Sequence, residues 1–112
     1  NVVITDLSRC DIAEAVEDAF RYDRMVLAAA SYDAGVFPIM QDFLHHLQAK
    51  AFQNRTVGLI ENGSWAPTAA KTMRNILETM KNITIVEPAV TIKSVLKETD
   101  IPALDQLADA LK

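Results

Sequence analysis

Two short loops hold the residues with most to offer a ligand: Ser31-Tyr32-Asp33-Ala34-Gly35-Val36-Phe37-Pro38 and Glu61-Asn62-Gly63-Ser64-Trp65-Ala66-Pro67. Each joins hydroxyl, amide or carboxylate groups to a glycine and an aromatic ring. Backbone N–H groups around Gly35 suit the oxygens and nitrogens of a heterocycle. Trp65 suits its face, since offset stacking adds about 1 kcal/mol beyond burial. Gly63 permits a tight turn ahead of Trp65, because glycine tolerates positive φ. A flat, partly apolar ligand between the loops is one reading of this pattern. The other is a Trp that covers the end of a sheet or packs on a partner subunit. The eight residues of the first loop exceed the usual strand-to-helix connection of about 2–6 residues, which favours a binding role.

Other chemistries find little support. His45 and His46 are adjacent, so on a helix they point about 100° apart, and helical zinc sites prefer i, i+4 spacing. They read as solvent-facing or interfacial. Cys10 lies beside a helix start, where a thiol pKa can fall, but there is no second cysteine for a redox pair. Asp11, Glu14, Glu17 and Asp18 read as a solvated helix face. No Ser-His-Asp set, GxGxxG or Walker loop is present.

The loops need elements to hold them. Apolar runs alternate with helical periods along the chain. Val2-Val3-Ile4-Thr5 reads as a strand. Ser8 caps a helix whose inner face is Ile12, Ala15, Val16, Ala19 and Phe20. Residues 25–30 are wholly apolar, as in a strand covered on both faces. A helix follows Pro38, with Met40, Phe43, Leu44 and Leu47 inward. Thr56-Val57-Gly58-Leu59-Ile60 is the next buried strand. A third helix starts near Pro67, with Ala69, Ala70, Met73, Ile76, Leu77 and Met80 inward. Ile83 opens a strand that extends past Pro88 to Ile92. Asp100 caps a last helix with Ile101, Leu104, Leu107, Ala108 and Leu111 inward. The order βαβαβαβα implies a doubly wound parallel sheet, with both loops at its carboxyl edge, where such sheets bind ligands.

Residues 1–112 read as one domain, large enough for a single core. The net charge of −4 and the absence of a basic run argue against nucleic acid. No apolar run is long enough to cross a membrane. The single cysteine and the lack of a secretory signal point to a reducing, cytoplasmic setting.

The segments Ala30-Ser31-Tyr32-Asp33-Ala34-Gly35-Val36-Phe37-Pro38, Val57-Gly58-Leu59-Ile60-Glu61-Asn62-Gly63-Ser64-Trp65-Ala66-Pro67 and Val86-Glu87-Pro88-Ala89-Val90-Thr91-Ile92-Lys93 together resemble the flavodoxin-like domain of the flavodiiron proteins (A-type flavoproteins). The resemblance spans essentially the whole chain. It implies a flavodoxin-like fold that binds FMN. It also implies an upstream domain of metallo-β-lactamase fold with a diiron centre that reduces oxygen or nitric oxide, a rubredoxin-like or other electron donor, and a head-to-tail homodimer. Ser31, Tyr32, Asp33, Ala34, Gly35 and Val36 are implied to flank the isoalloxazine. Asn62, Gly63, Ser64, Trp65 and Ala66 are implied to cover its other side.

Two departures stand out. The family holds the FMN phosphate in a hydroxyl-rich loop after its first strand. The candidate here, Thr5-Asp6-Leu7-Ser8-Arg9-Cys10-Asp11, carries two acids and aligns better with the second βα unit. The first strand, phosphate loop and first helix are therefore expected to lie outside this chain, an N-terminal truncation of the fold. In a 2-1-3-4-5 sheet this leaves a gap between the strands beginning at Val2 and Met25. The diiron domain is absent too. Two alternatives remain: a flavin-free interaction module with Trp65, Tyr32 and Phe37 in an interface, and a phosphoacceptor receiver. Ser31 and Asn62 stand where a receiver needs acids, so the receiver ranks last.

Overall fold

The wholly apolar segments become the middle of a sheet, and the amphipathic ones wrap it. The computed structural model describes residues 3–32, 35–63, 68–87, 89–93 and 98–111, with residues 31, 32 and 35 described by backbone alone. The elements are α1 (Ile12–Arg21), β1 (Arg24–Tyr32), β2 (Gly35–Val36), α2 (Pro38–Ala49), β3 (Arg55–Asn62), α3 (Ala69–Leu77), β4 (Ile83–Ile85), β5 (Val90–Ile92) and α4 (Ile101–Ala110). A 3-10 turn, Glu98–Asp100, leads into α4.

β1 and β3 pair in parallel over their length, with Met25 opposite Val57, Leu27 opposite Leu59 and Ala30 opposite Asn62. β4 and β5 both lie parallel to β3, beside its first and last residues respectively. They act as one strand with a break, across which Val86 N–H donates to the Val57 carbonyl at 2.9 Å. The sheet order is β2-β1-β3-β4.

α1, α2 and α3 share one core with Leu27, Val57 and Leu59. The predicted inward residues Ala15, Val16, Ala19, Met40, Phe43, Leu44, Leu47, Ala69, Ala70, Met73, Leu77 and Met80 are buried. Burying such a side chain contributes roughly 1.5–3 kcal/mol for the larger aliphatics, which is what selects the helical register. α4 lies on the opposite face. Its Leu107 packs over Gly58, where an added Cβ would come within 2.8 Å of a Leu107 methyl. Gly58 therefore permits the close approach of helix to strand.

Two local readings change, and a third falls outside what is described. Val2-Val3-Ile4-Thr5 was expected as a strand, yet residues 3–6 join no sheet; Ile4 is 91% exposed. The helix expected from a Ser8 cap begins at Ile12 instead. Ser8 is engaged by Asp6, whose carboxylate accepts from Ser8 N–H at 3.0 Å and Ser8 Oγ–H at 2.6 Å. Asp11 is the N-cap, accepting from Ala13 N–H at 3.0 Å. Pro67, expected at the start of the third helix, lies outside the described residues, and α3 begins after Thr68.

At the amino edge of the sheet, Phe52 is fully buried and meets Phe20 edge-on at 5.3 Å. The Arg55 guanidinium lies 5.3 Å from the Phe52 ring centre. It also donates to the carbonyls of Phe20, Tyr22 and Gln53. This bracket ties the α1–β1 turn to the start of β3.

Candidate functional site

The carboxyl edge is built by register. Because Ala30 stands opposite Asn62 and Asn62 opposite Ile92, the chain leaves β1, β3 and β5 at one level. Parallel neighbours lie about 4.8 Å apart, so the two loops emerge side by side. The structure thus brings the backbones of Ser31, Tyr32, Gly35, Val36, Asn62 and Gly63 to one edge. Asp33, Ala34, Ser64, Trp65 and Ala66 lie outside the described residues.

The first loop is more regular than a simple connection. β2 folds back antiparallel on the end of β1, with Ser31 opposite Val36 and Tyr32 opposite Gly35. Phe37 N–H closes the hairpin on the Ala30 carbonyl at 3.0 Å. Alternation along β2 turns Val36 inward, where it is 2% exposed within the core. Its side chain is thus committed to packing, leaving its backbone for any ligand. Phe37, the next residue, is 45% exposed.

The second loop is anchored from beneath. Gly63 N–H donates to the Ile92 carbonyl at 3.1 Å, continuing the ladder one step past β3. Glu61 is the buried charged residue among those described, at 8% exposure. One carboxylate oxygen accepts from Ala70 N–H at 3.0 Å, in the first turn of α3. The other accepts from Thr91 Oγ–H at 2.7 Å, on β5. Helix N-termini carry unpaired N–H groups and a partial positive charge, so a carboxylate there is stabilised. Glu61 therefore fixes where the loop leaves β3 and where it enters α3. The sequence offered one signal for this role: an acid ending an apolar strand just ahead of a helix-opening loop.

The turn at Asp6 is a closed local unit. Ser8 donates twice to its carboxylate, and Arg9 lies 3.6 Å away. The Ser8 hydroxyl, followed by its backbone N–H, lowers the Asp6 pKa below the ordinary aspartate value. With Asp11 capping α1, the helix start already holds a carboxylate. On α2, both histidines are exposed, and His46 Nδ1 lies 2.8 Å from the Asp42 carbonyl. Among the described residues no group of His, Cys, Asp and Glu is placed to hold a metal ion, and no helix is long and apolar enough to cross a membrane.

No family model matches the sequence, and no curated protein matches it. Solved structures do match the fold. An archaeal flavodoxin aligns with a TM-score of 0.79 at 12% identity, over 94% of this chain and 71% of its own. Oxidised flavodoxin 1 from Bacillus cereus aligns at 0.74 and 13% identity, over 90% of this chain and 73% of its own. Rubredoxin oxygen:oxidoreductase from Desulfovibrio gigas aligns at 0.74 and 15% identity; the match covers 89% of this chain but only 31% of that longer one. At such identities the likeness speaks for architecture, and with the parallel sheet and four helices it gives this chain the flavodoxin-like α/β fold.

Proposed function

We propose that the chain is the FMN-binding electron-transfer module of a flavodiiron-like oxygen or nitric oxide reductase. The observation that carries this reading is the alignment of Ala30 with Asn62, which sets the two loops together at the ligand edge of the sheet. The D. gigas neighbour, whose name joins rubredoxin to oxygen, supports the choice within the fold.

The groups at this edge suit the ring of a flavin. Asn62 carries both a donor and an acceptor for a polar ring rim, and the glycines at 35 and 63 let backbone approach closely. The start of α1 does not suit its phosphate. Asp11 fills the helix N-terminus and Asp6 holds Ser8, so a phosphate there meets two carboxylates. The phosphate grip is therefore assigned to polypeptide beyond these residues, as is the diiron centre in a metallo-β-lactamase-like domain.

When bound, the flavin supplies the redox chemistry. Ser31 to Val36 would flank one side of the ring, and Asn62 to Ala66 would cover the other and exclude water, with Trp65 as the stacking residue. Glu61 positions the second loop without touching the flavin. A rubredoxin-like donor, a homo-oligomer that brings flavin and diiron centre together, and a cytoplasmic setting complete the proposal.

Titration with FMN and with riboflavin, followed by flavin absorbance and fluorescence quenching, tests it. With no phosphate grip among the described residues, the two should bind alike, within about threefold, or about 0.6 kcal/mol. Trp65→Ala should weaken both by about tenfold, or about 1.4 kcal/mol, through lost stacking and burial. The same titration on a longer product, including the residues that precede this chain in its reading frame, should favour FMN. Failure of both proteins to bind either flavin overturns the reading in favour of an interaction module.

A further inference from the structure

Asn62 and Gly63 form the one Asn-Gly pair in the chain, and the fold sets it at the last rung of a ladder. Asn62 ends β3, with Ala30 of β1 opposite it on one side and Ile92 of β5 on the other. It is exposed to water. Gly63 lies one step beyond the strand, and its N–H donates to the Ile92 carbonyl at 3.1 Å.

The side chain of asparagine is an amide, and its carbonyl carbon is an electrophile beside the next backbone nitrogen. When that nitrogen gives up its proton and attacks, a C–N bond forms and closes a succinimide ring. The bond to the side-chain nitrogen breaks, and ammonia leaves with the proton. Water then opens the ring at either carbonyl. Opening at one gives aspartate. Opening at the other gives isoaspartate, whose main chain runs through the side-chain carbon. No electrons change hands, and water is the only co-reactant. A Cβ on the following residue crowds the ring closure, and glycine has none. The other asparagines, at 1, 54, 75 and 82, are followed by Val2, Arg55, Ile76 and Ile83. Their side chains stand against the same reaction.

The ladder holds this chemistry off at Asn62. The Gly63 N–H is committed to Ile92, so the nitrogen keeps its proton. Pairing on both sides keeps the Asn62 backbone extended, and the attack requires rotation at that residue. The restraint is only as firm as β5. That strand is three residues long, Val90–Ile92, and among the described residues it pairs with β3 alone. The bond from Thr91 Oγ–H to the Glu61 carboxylate, 2.7 Å, reinforces it. A short strand at the edge of a sheet opens at a lower free energy than the whole fold.

We propose that the Asn62-Gly63 pair is a self-modifying site, latched by the Gly63 bond to Ile92 and released when the end of β5 opens. The modification removes the Asn62 amide, which offers both a donor and an acceptor, and sets a carboxylate at the carboxyl edge of the sheet. Isoaspartate also lengthens the main chain by the side-chain carbon, which throws Gly63 out of step with Ile92. Loss of ammonia makes the change one-way, so it marks molecules in which β5 has opened. The inference goes beyond the flavin reading and depends on the sheet alone.

Peptide mapping by mass spectrometry, with enzymatic methylation to count isoaspartate, tests it on residues 1–112 without flavin, folded and in urea at one mildly alkaline pH. Reaction at Asn62 should be at least about tenfold slower in the folded protein, because opening must precede attack. Thr91→Val removes the reinforcing bond. It should speed the folded-state reaction about fivefold, which corresponds to about 1 kcal/mol of easier opening, and leave the rate in urea unchanged. Exchange of the Gly63 amide hydrogen, followed by NMR, should rise by the same factor. Phe20→Leu weakens the aromatic contact at the opposite, amino edge and should leave the rate at Asn62 unchanged. Equal rates in the folded protein and in urea overturn the latch. An unchanged rate in Thr91→Val, or an equal rise in Phe20→Leu, overturns release at β5. Reaction in urea at Asn54, Asn75 or Asn82 as fast as at Asn62, or none at Asn62, overturns the choice of site. Failure to bind flavin leaves all of these results standing.

Discussion

Replacing Glu61 by alanine should be among the most damaging single changes on the ligand side of the sheet. The carboxylate accepts from Ala70 N–H at 3.0 Å and from Thr91 Oγ–H at 2.7 Å, and the residue is 8% exposed. A hydrogen bond to a charged group contributes about 1.5–3 kcal/mol, and a carboxylate at a helix N-terminus a further 0.3–1 kcal/mol or so. Alanine also leaves a buried N–H without its acceptor. The two contacts are not additive, because the Thr91 hydroxyl can rotate toward another partner. About 3–4 kcal/mol is the expected loss. Glutamine keeps the size and one carbonyl acceptor for Ala70, but sets an NH2 donor where the second oxygen accepted, so the Thr91 hydroxyl must turn to accept from it; about 1 kcal/mol is expected. Thr91→Val should cost about 1 kcal/mol in the parent and nearly nothing in Glu61→Ala, because the two report the same contact. Urea unfolding by circular dichroism reads the parent and all four variants, with the free energy taken from the midpoint and slope. A Glu61→Ala loss below about 1 kcal/mol, or full additivity with Thr91→Val, refutes the bracing role.

Other expectations follow from single contacts. Gly58→Ala should destabilise by about 1–3 kcal/mol, since its Cβ would lie 2.8 Å from a Leu107 methyl and push α4 outward; an unchanged thermal midpoint counts against the close approach. Ala51 ends α2 at φ 58°, with Ala51 N–H on the Gln48 carbonyl and Phe52 N–H on the Leu47 carbonyl, a helix stop usually made by glycine. Ala51→Gly should therefore stabilise by about 0.5–1 kcal/mol in denaturant unfolding, the left-handed strain outweighing the added chain entropy. The lowered Asp6 pKa means that its turn stabilises the fold above the ordinary aspartate range and loses this as pH falls through the folded-state value. Carboxyl-carbon NMR titration should show Ser8→Ala raising that pKa, and no change would remove Ser8 as the cause.

Much of this architecture is written in local pattern. The 3.6-residue spacing of Met40, Phe43, Leu44 and Leu47, or of Ala69, Met73 and Leu77, requires a helix with one buried side, and those residues are buried. The apolar runs at 25–30 and 57–60 require strands inside a sheet, and these became β1 and β3. The loops on the carboxyl edge follow from that order alone, because successive parallel strands must end on the same side.

What only the tertiary structure decided depends on partners distant in sequence. Residues 3–6 carry a strand pattern but no strand, because a strand needs a neighbour and the groove beside them holds none among the described residues. The fold-back of β2, which commits Val36 to the core, was hidden inside what read as one long loop. Phe52, outside every helical period, is buried because Phe20 and Arg55 close over it. Glu61 reads as an ordinary polar end to a strand until α3 and β5 bring their donors to it from 9 and 30 residues away. Periodicity reports what a segment must bury. Which surface does the burying, and which is left waiting for one, is settled only when the segments meet.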